Sequence, residues 1–198
     1  MEVFKQEHRH FVIFKPYGYL SQFYSNDSKQ QSKKFLGDLH DFPEGVMAIG
    51  RLDEASEGLL LLTTNGKISA HMNSQKVEKE YYAQVDGVIS KKGVTQLKTG
   101  VEITVEGDIY KTKPCRAFKL NTIPELPKRG KKIRDERHGP TSWVSITLKE
   151  GKFRQVRKMT AAIGFPTLRL VRVRVGEIGV NKMQAGDVVE VDTFMLKD

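Results

Sequence analysis

The stretch GRLDEASEGLLLLTTNG, residues 50–66, sets three carboxylates, Asp53, Glu54 and Glu57, within five positions and follows them with four consecutive leucines. A glycine turn, then Arg51-Leu52-Asp53, then entry into an apolar run puts a carboxylate at the mouth of a buried strand beside an arginine. A carboxylate so placed can act as a nucleophile or as a general acid/base. The same residues can equally serve a turn, with Asp53 or Ser56 as its cap and Arg51 as a local ion-pair partner. A glycosidase pair is only weakly suggested, because no second carboxylate in the stretch has an assigned partner.

A second group lies in EGKFRQVRKM, residues 150–159. On a helical wheel Phe153, Val156, Thr160 and Ile163 share one face. Arg154 and Lys158 fall on the opposite, solvent side, where they suit plain phosphate contacts. Arg157 lies at the border, where a long side chain reaches inward with its guanidinium sheltered. A sheltered arginine needs an anion, and a carboxylate or phosphate fits its planar fork; the alternative is a solvated basic helix face. In KEYYAQV, residues 79–85, Tyr81 and Tyr82 point to opposite sides of a strand, so Tyr81 is either core or a platform for an exposed base. KPYG, residues 15–18, reads as a turn.

The elements that must position these groups are short. Phe11–Phe14 is a β-run stopped by Pro16 and Gly18, and residues 25–34 form a polar surface loop. VMAIG and LLLLT are buried strands on either side of the acidic turn. KEYYAQVDG is a strand, and SKKGVTQLKTG a helix with Ser90 as N-cap and Gly100 at its end. KPCRAFKL and WVSITL alternate like half-buried strands, and the segment 121–141 between them is a long loop or partly ordered excursion. The clearest helix is KFRQVRKMTAAIG, ended by Gly164 and Pro166, after which TLRLVRVRVG returns as a strand. Strands and helices mix without regular βαβ alternation, so an α+β fold is expected.

The whole chain, 198 residues with 38% apolar and 29% charged residues, suits one soluble domain spanning 1–198. No apolar run approaches the roughly 20 residues of a membrane span. No signal-peptide pattern opens the sequence. The single cysteine, Cys115, and scattered histidines offer neither a disulfide nor a metal framework. A cytoplasmic protein without a structural metal is the expectation. Its net charge of +9 is unevenly placed: residues 128–174 hold 14 Lys/Arg against three acids, while the remaining 19 bases face 21 acids. One basic region in a near-neutral chain is the footprint of a polyanion, most simply a nucleic acid.

KPYG, GRLDEASEGLLLLTTNG, KEYYAQV, EGKFRQVRKMTAAIGFP and LRLVRVRVG, in that order, resemble the motifs of RNA pseudouridine synthases, in the branch that includes ribosomal small subunit pseudouridine synthase A. The resemblance covers residues 9 to about 190. Within the branch, PTSWVSITLKEG and GFPTLRLVR look most like the synthase E group, which is named for the large ribosomal subunit. It implies a mixed, mostly antiparallel sheet flanked by helices around a central RNA cleft. The implied reaction is the isomerisation of a uridine in 23S ribosomal RNA, or in a precursor particle, without a cofactor. The resemblance also implies site residues: Asp53 as the catalytic aspartate, Tyr81 packing on the target base, Arg157 pairing with Asp53, Leu170 lining the pocket and Arg51 reaching RNA near the flipped nucleotide. Glu54 is then surface, and Glu57 buttresses the loop.

Many relatives carry a small RNA-binding module ahead of the catalytic domain, and Phe11 already in the first strand leaves no room for one. The catalytic domain is therefore expected to hold RNA itself, as a monomer, through Lys131, Lys132 and Arg134 of the basic loop and Arg154 and Lys158 of the helix. Two other classes compete: a ribosome-assembly factor whose isomerase activity is dispensable, and a general basic DNA or RNA binder. The second would have no use for the acidic turn, and neither a helix-turn-helix nor a zinc finger is present.

Overall fold

The computed structural model describes residues 8–30 and 32–194; Gln31, inside the expected 25–34 loop, lies outside them. Strand β1 (His10–Lys15) is followed by a long excursion to β2 (Met47–Ile49) and β3 (Glu57–Thr63). Helix α1 (Gly66–Asn73) starts at Asn65, whose side chain accepts from the amides of Lys67 and Ile68. Strand β4 (Lys79–Asp86) leads to α2 (Lys91–Thr99), capped by Ser90 and ended at Gly100 as the sequence predicts. A separate hairpin, β5 (Glu102–Val105) and β6 (Asp108–Lys111), precedes β7 (Arg116–Lys119) and β8 (Thr141–Leu148). Helix α3 (Gln155–Ala162), β9 (Thr167–Val175), β10 (Ile178–Gly179) and β11 (Val188–Val191) complete the order.

One sheet runs β11-β1-β3-β9-β4-β8-β7, with β2 added to β3 and β10 to β9. Its pairings are antiparallel except that of β3 with β9, so the α+β expectation holds. β3 joins the two halves. Along one edge it pairs with β1 from Gly58 to Thr63. Along the other, its first two residues pair with β9 (Glu57 with Val171, Gly58 with Arg172) and its last three with β2. β2 and β9 thus part company beside a common neighbour, and the loop from Gly50 to Ser56 must step out of the sheet to clear β9.

The leucine run explains itself in this position. Leu59 and Leu61 pack with Val12, Ile49 and Val175, whereas Leu60 and Leu62 pack on the other face with Phe11, Ile13 and Leu52. A strand covered on both sides carries no polar alternation. The far half has its own core, where Val144 and Ile146 of β8 meet Leu97 of α2 and Val156 and Met159 of α3. Tyr81 packs against both this core and that of Leu60. One expectation fails here. α3 begins at Gln155, so Phe153 is not on its apolar face but stands before it, 66% exposed.

Lys15, at the end of β1, is fully buried, its ammonium donating to the carbonyls of Pro16 (3.0 Å) and Tyr19 (2.7 Å). KPYG is therefore a turn whose lysine is part of its construction. Burial pushes the Lys15 amine down to about 7, although Glu57, Asp53 and Glu54 pull the other way.

At the β3–β9 junction Gly58 has φ +104°, and a Cβ there would collide with the backbone of Arg172. Gly58→Ala should cost about 2–4 kcal/mol of stability in urea unfolding, from clash and backbone strain together. For Lys15, the unfolded chain with its ordinary pKa of 10.5 holds the proton more tightly than the folded one. Between pH 7 and 10 unfolding therefore takes up a proton, and stability rises with pH through that window. Relative to Lys15→Met, the wild-type unfolding free energy should climb by up to about 1.4 kcal/mol per pH unit. Parallel curves for the two proteins would mean that Lys15 keeps its charge.

Candidate active site

The loop that clears β9 is held rigidly at its backbone. Ser21 Oγ donates to the Leu52 carbonyl (2.8 Å) and accepts from the Leu52 amide (3.0 Å), with the Leu52 side chain in the core. The Gly18 amide of KPYG donates to the Glu54 carbonyl, and Ser56 closes a turn onto the Asp53 carbonyl. From helix α3, Arg157 Nη2 donates to the Ala55 carbonyl (2.8 Å) and Ser56 Oγ (3.3 Å), while Nη1 reaches the Thr167 carbonyl at 3.4 Å. The sheltered arginine is thus real, and burial lowers its pKa, as does the nearby Arg154.

With its backbone fixed, the Asp53 carboxylate is free to face an open cavity of about 350 Å³, within the ~300–1,000 Å³ range of small-molecule sites. Its ion-pair partner among the described residues is Arg154, Nη1 to Oδ2 3.6 Å, with the carboxylate side chain 25% exposed. This differs from the expectation of a direct Arg157–Asp53 pair. Arg157 touches the Asp53 loop through its carbonyl and hydroxyl groups, and Arg154, expected on the solvent side of the helix, closes on the carboxylate. The cause is local: Arg154 is the N-cap of α3 in the left-handed region (φ +54°), so a wheel drawn through it assigns the wrong direction.

Arg51, Asp53, Tyr81, Arg154 and Leu170 all line the cavity. Lys158 does not; its ammonium donates to the Thr104 carbonyl on β5 at 2.7 Å. Lys131, Lys132 and Arg134 are also off the cavity wall, on the 121–140 segment, which is laid onto the body. There the buried Glu57 accepts a forked pair from Arg169 (3.0 and 2.9 Å) and an ion pair from Arg129 (3.2 Å). Arg169 also donates to the Pro127 carbonyl, and the Arg129 guanidinium lies 4.2 Å from the centre of the Tyr17 ring. Arg134 forms a forked pair with Asp86, so its charge is spent on holding the loop rather than left for a ligand. Lys131 and Lys132 remain exposed. The acidic turn therefore divides its carboxylates: Glu54 pairs at the surface with Lys33 (2.9 Å), Glu57 is structural, and Asp53 is open.

Among the lining residues that the sequence does not single out are Lys79, Arg172 and Gln155. Lys79, two positions before Tyr81 and so on the same strand face, donates to the Ser74 carbonyl (2.9 Å) and is pushed down by burial to about 8. Its spacing from Tyr81 was a usable signal. Arg172 is buried, with Nε on the Leu59 carbonyl (2.8 Å) and Nη2 without a hydrogen-bond partner among the described residues. Gln155 is buried, donating to Glu150 (2.6 Å) and accepting from the Lys152 amide (2.9 Å), which fixes the turn ahead of α3. Nothing in residue type alone marks Arg172 or Gln155. Chemically, the arrangement presents one open carboxylate with a cationic neighbour and an aromatic wall in a concave, semi-enclosed site.

Residues 9–162 match the family described as RNA pseudouridylate synthase. The chain is 39% identical over 188 residues to ribosomal large subunit pseudouridine synthase E of Vibrio parahaemolyticus, covering 93% of this chain and 75% of that protein. It is 39% identical over 168 residues to the synthase E of Xanthomonas axonopodis pv. citri, covering 84% and 85%. A solved pseudouridylate synthase shares the fold with a TM-score of 0.72 at 23% identity, over 96% of this chain and 72% of the other. The motif order, the family match and the relatives agree, and the chain belongs to the RNA pseudouridine synthase family.

Proposed function

We propose that this enzyme converts a uridine of 23S ribosomal RNA into pseudouridine, with Asp53 as the group that acts on the flipped-out nucleotide. The observation that carries the reading is the Asp53 carboxylate itself. Its loop backbone is satisfied by Ser21, Gly18 and Arg157, so the side chain is not needed for the turn and opens instead into a nucleoside-sized cavity. The choice of large-subunit RNA rests on the names of the two relatives.

Pseudouridine forms when the bond from uracil N1 to ribose C1′ breaks, the base turns, C5 bonds to C1′, the C5 proton leaves and N1 takes up a proton. Asp53 can start this by attacking C1′ or by removing the C2′ proton towards a glycal; both routes begin at the same carboxylate. Extruding the nucleotide costs a few kcal/mol, which contacts in the pocket must offset. Tyr81 and Leu170 line the cavity, which supports an apolar wall for the uracil with Tyr81 stacking on it. Arg154 keeps a positive charge beside the carboxylate. Arg157 is a positioning residue that locks the Asp53 loop to α3. Arg51, at the cavity edge, and Lys131 and Lys132, on the anchored loop, offer exposed cations to the RNA backbone. In this reading the described residues form a catalytic domain that contacts RNA through its own surface.

Release of tritium from rRNA labelled at uridine C5 tests the chemistry, since isomerisation expels that hydrogen and binding does not. Wild type should release it stoichiometrically, and Asp53→Asn should reduce release by at least about 10³-fold while still binding RNA. Bound RNA with no release from wild type would favour a binding factor, and repetition on precursor particles separates that from a wrong substrate form. The RNA path has its own test. Lys131→Glu with Lys132→Glu should weaken rRNA binding and lower the slope of log K against log salt by about 1.5. Arg134 is left intact because its loss would release the loop from Asp86. An unchanged slope would remove the loop from the RNA path.

A further inference from the structure

We propose that Phe153 is a stacking platform for a nucleobase flanking the flipped uridine, an inference that rests on the RNA reading above. A single exposed phenylalanine means little. This one differs in its place, its support and its company.

Its place is the rim of the cavity. Phe153 stands between Lys152 and Arg154, which both line the site, and Arg154 makes the ion pair with Asp53. The other large exposed apolar side chains among the described residues, such as Phe118 on β7 and Ile109 on the hairpin, have no chain neighbour that lines the cavity.

Its support is a closed turn. The Gln155 amide donates to the Lys152 carbonyl at 3.0 Å. The buried Gln155 side chain bridges the Lys152 amide (2.9 Å) and Glu150 (2.6 Å). Glu150 is held in turn by the Tyr110 hydroxyl (2.6 Å) and the Lys113 amide (2.9 Å). With Arg154 in the left-handed region, the turn sets Phe153 ahead of the helix with its ring exposed. The ring is therefore presented before any ligand arrives, which lowers the ordering cost of using it.

Its company is cationic. The Lys158 ammonium lies 5.2 Å from the ring centre and is steadied by the Thr104 carbonyl. An aromatic face beside fixed positive charge is the combination by which single strands are held: the base stacks while the cation meets a phosphate. Flipping one nucleotide leaves its neighbours without a stacking partner. A rigid phenyl at the mouth of the pocket replaces that partner, and by holding the neighbour it favours the flipped state.

Two measurements test the assignment. In single-turnover tritium release from 23S rRNA, Phe153→Ala should raise the half-saturating enzyme concentration roughly 5- to 150-fold, with the maximal rate within about twofold. Phe153→Trp should restore binding and Phe153→Leu should not. Separately, Phe153→Ala should weaken binding to a single-stranded oligodeoxyadenylate yet leave binding to an abasic strand of equal length unchanged. Equal losses on both strands, no loss on either, or full rescue by leucine would each overturn a stacking role. If wild type releases no tritium from 23S rRNA, the proposed substrate fails, and the paired oligonucleotides still decide Phe153. Thermal unfolding of each variant controls for folding, which an exposed side chain should leave unmoved.

Discussion

The molecule depends on a two-residue seam. The halves of the sheet meet as parallel strands only where Glu57 and Gly58 face Val171 and Arg172. So short a backbone ladder is reinforced from the side chains. Arg172 sends its Nε across to the Leu59 carbonyl, and Arg169 grips Glu57 with a fork. A buried carboxylate tolerates this position because the forked hydrogen bonds of Arg169 and the ion pair of Arg129 compensate its desolvation; removing one partner would strand a charge. Gly58 is required at the same point because the backbones approach too closely for a Cβ. Much of the cavity wall is hung on this seam. Asp53 comes from the loop entering β3, Leu170 and Arg172 from β9, and Tyr81 from β4, whose Cα partner is Arg172.

The seam also gives the acids of a basic chain a physical explanation. Each carboxylate of the 53–57 turn meets a different dielectric environment and does a different job. Glu54 and Lys33 are both exposed, and an ion pair there contributes little. Glu57, with 1% of its side chain exposed, organises the fold and also ties down the basic loop through Arg129. Asp53 lies between these limits, sheltered enough to feel Arg154 and open enough to be reached. The excess of Lys/Arg around them serves two ends. Arg129, Arg134, Arg157 and Arg169 are consumed by internal contacts, and Lys131 and Lys132 are left for solvent or a polyanion.

How much of this was legible in the sequence depends on the kind of signal. Periodicity and punctuation located β1, β3, β4, α2 and β9, because apolar runs bounded by Gly and Pro report burial directly. The shortest elements left too few residues for a period, and the β5–β6 hairpin, β10 and β11 went unread. The motif order located Asp53, Tyr81 and Leu170 on one cavity. Residue type could not disclose Lys15 as buried, since its two carbonyl acceptors are formed by the turn it stabilises. Nor could a helical wheel locate Phe153 and Arg154. A positive φ at an arginine breaks the wheel at its first position, and no glycine announces it.

That break also explains how one short motif supplies two arginines with different duties. Arg157 lies within regular helix, so its direction is set by α3, and it reaches the backbone of the Asp53 loop. Arg154 is released from the helical direction by its left-handed backbone, a conformation costing about 1–2 kcal/mol for a residue with a Cβ. The surrounding network of Gln155 and Glu150 holds it there. Strain of this kind persists only where the surroundings over-determine it, and it gathers at sites of function. Here it brings a guanidinium to the carboxylate and, by the same turn, the neighbouring phenyl ring to the rim. The helix end thus couples what meets the reactive group to what meets the solvent side of the cavity.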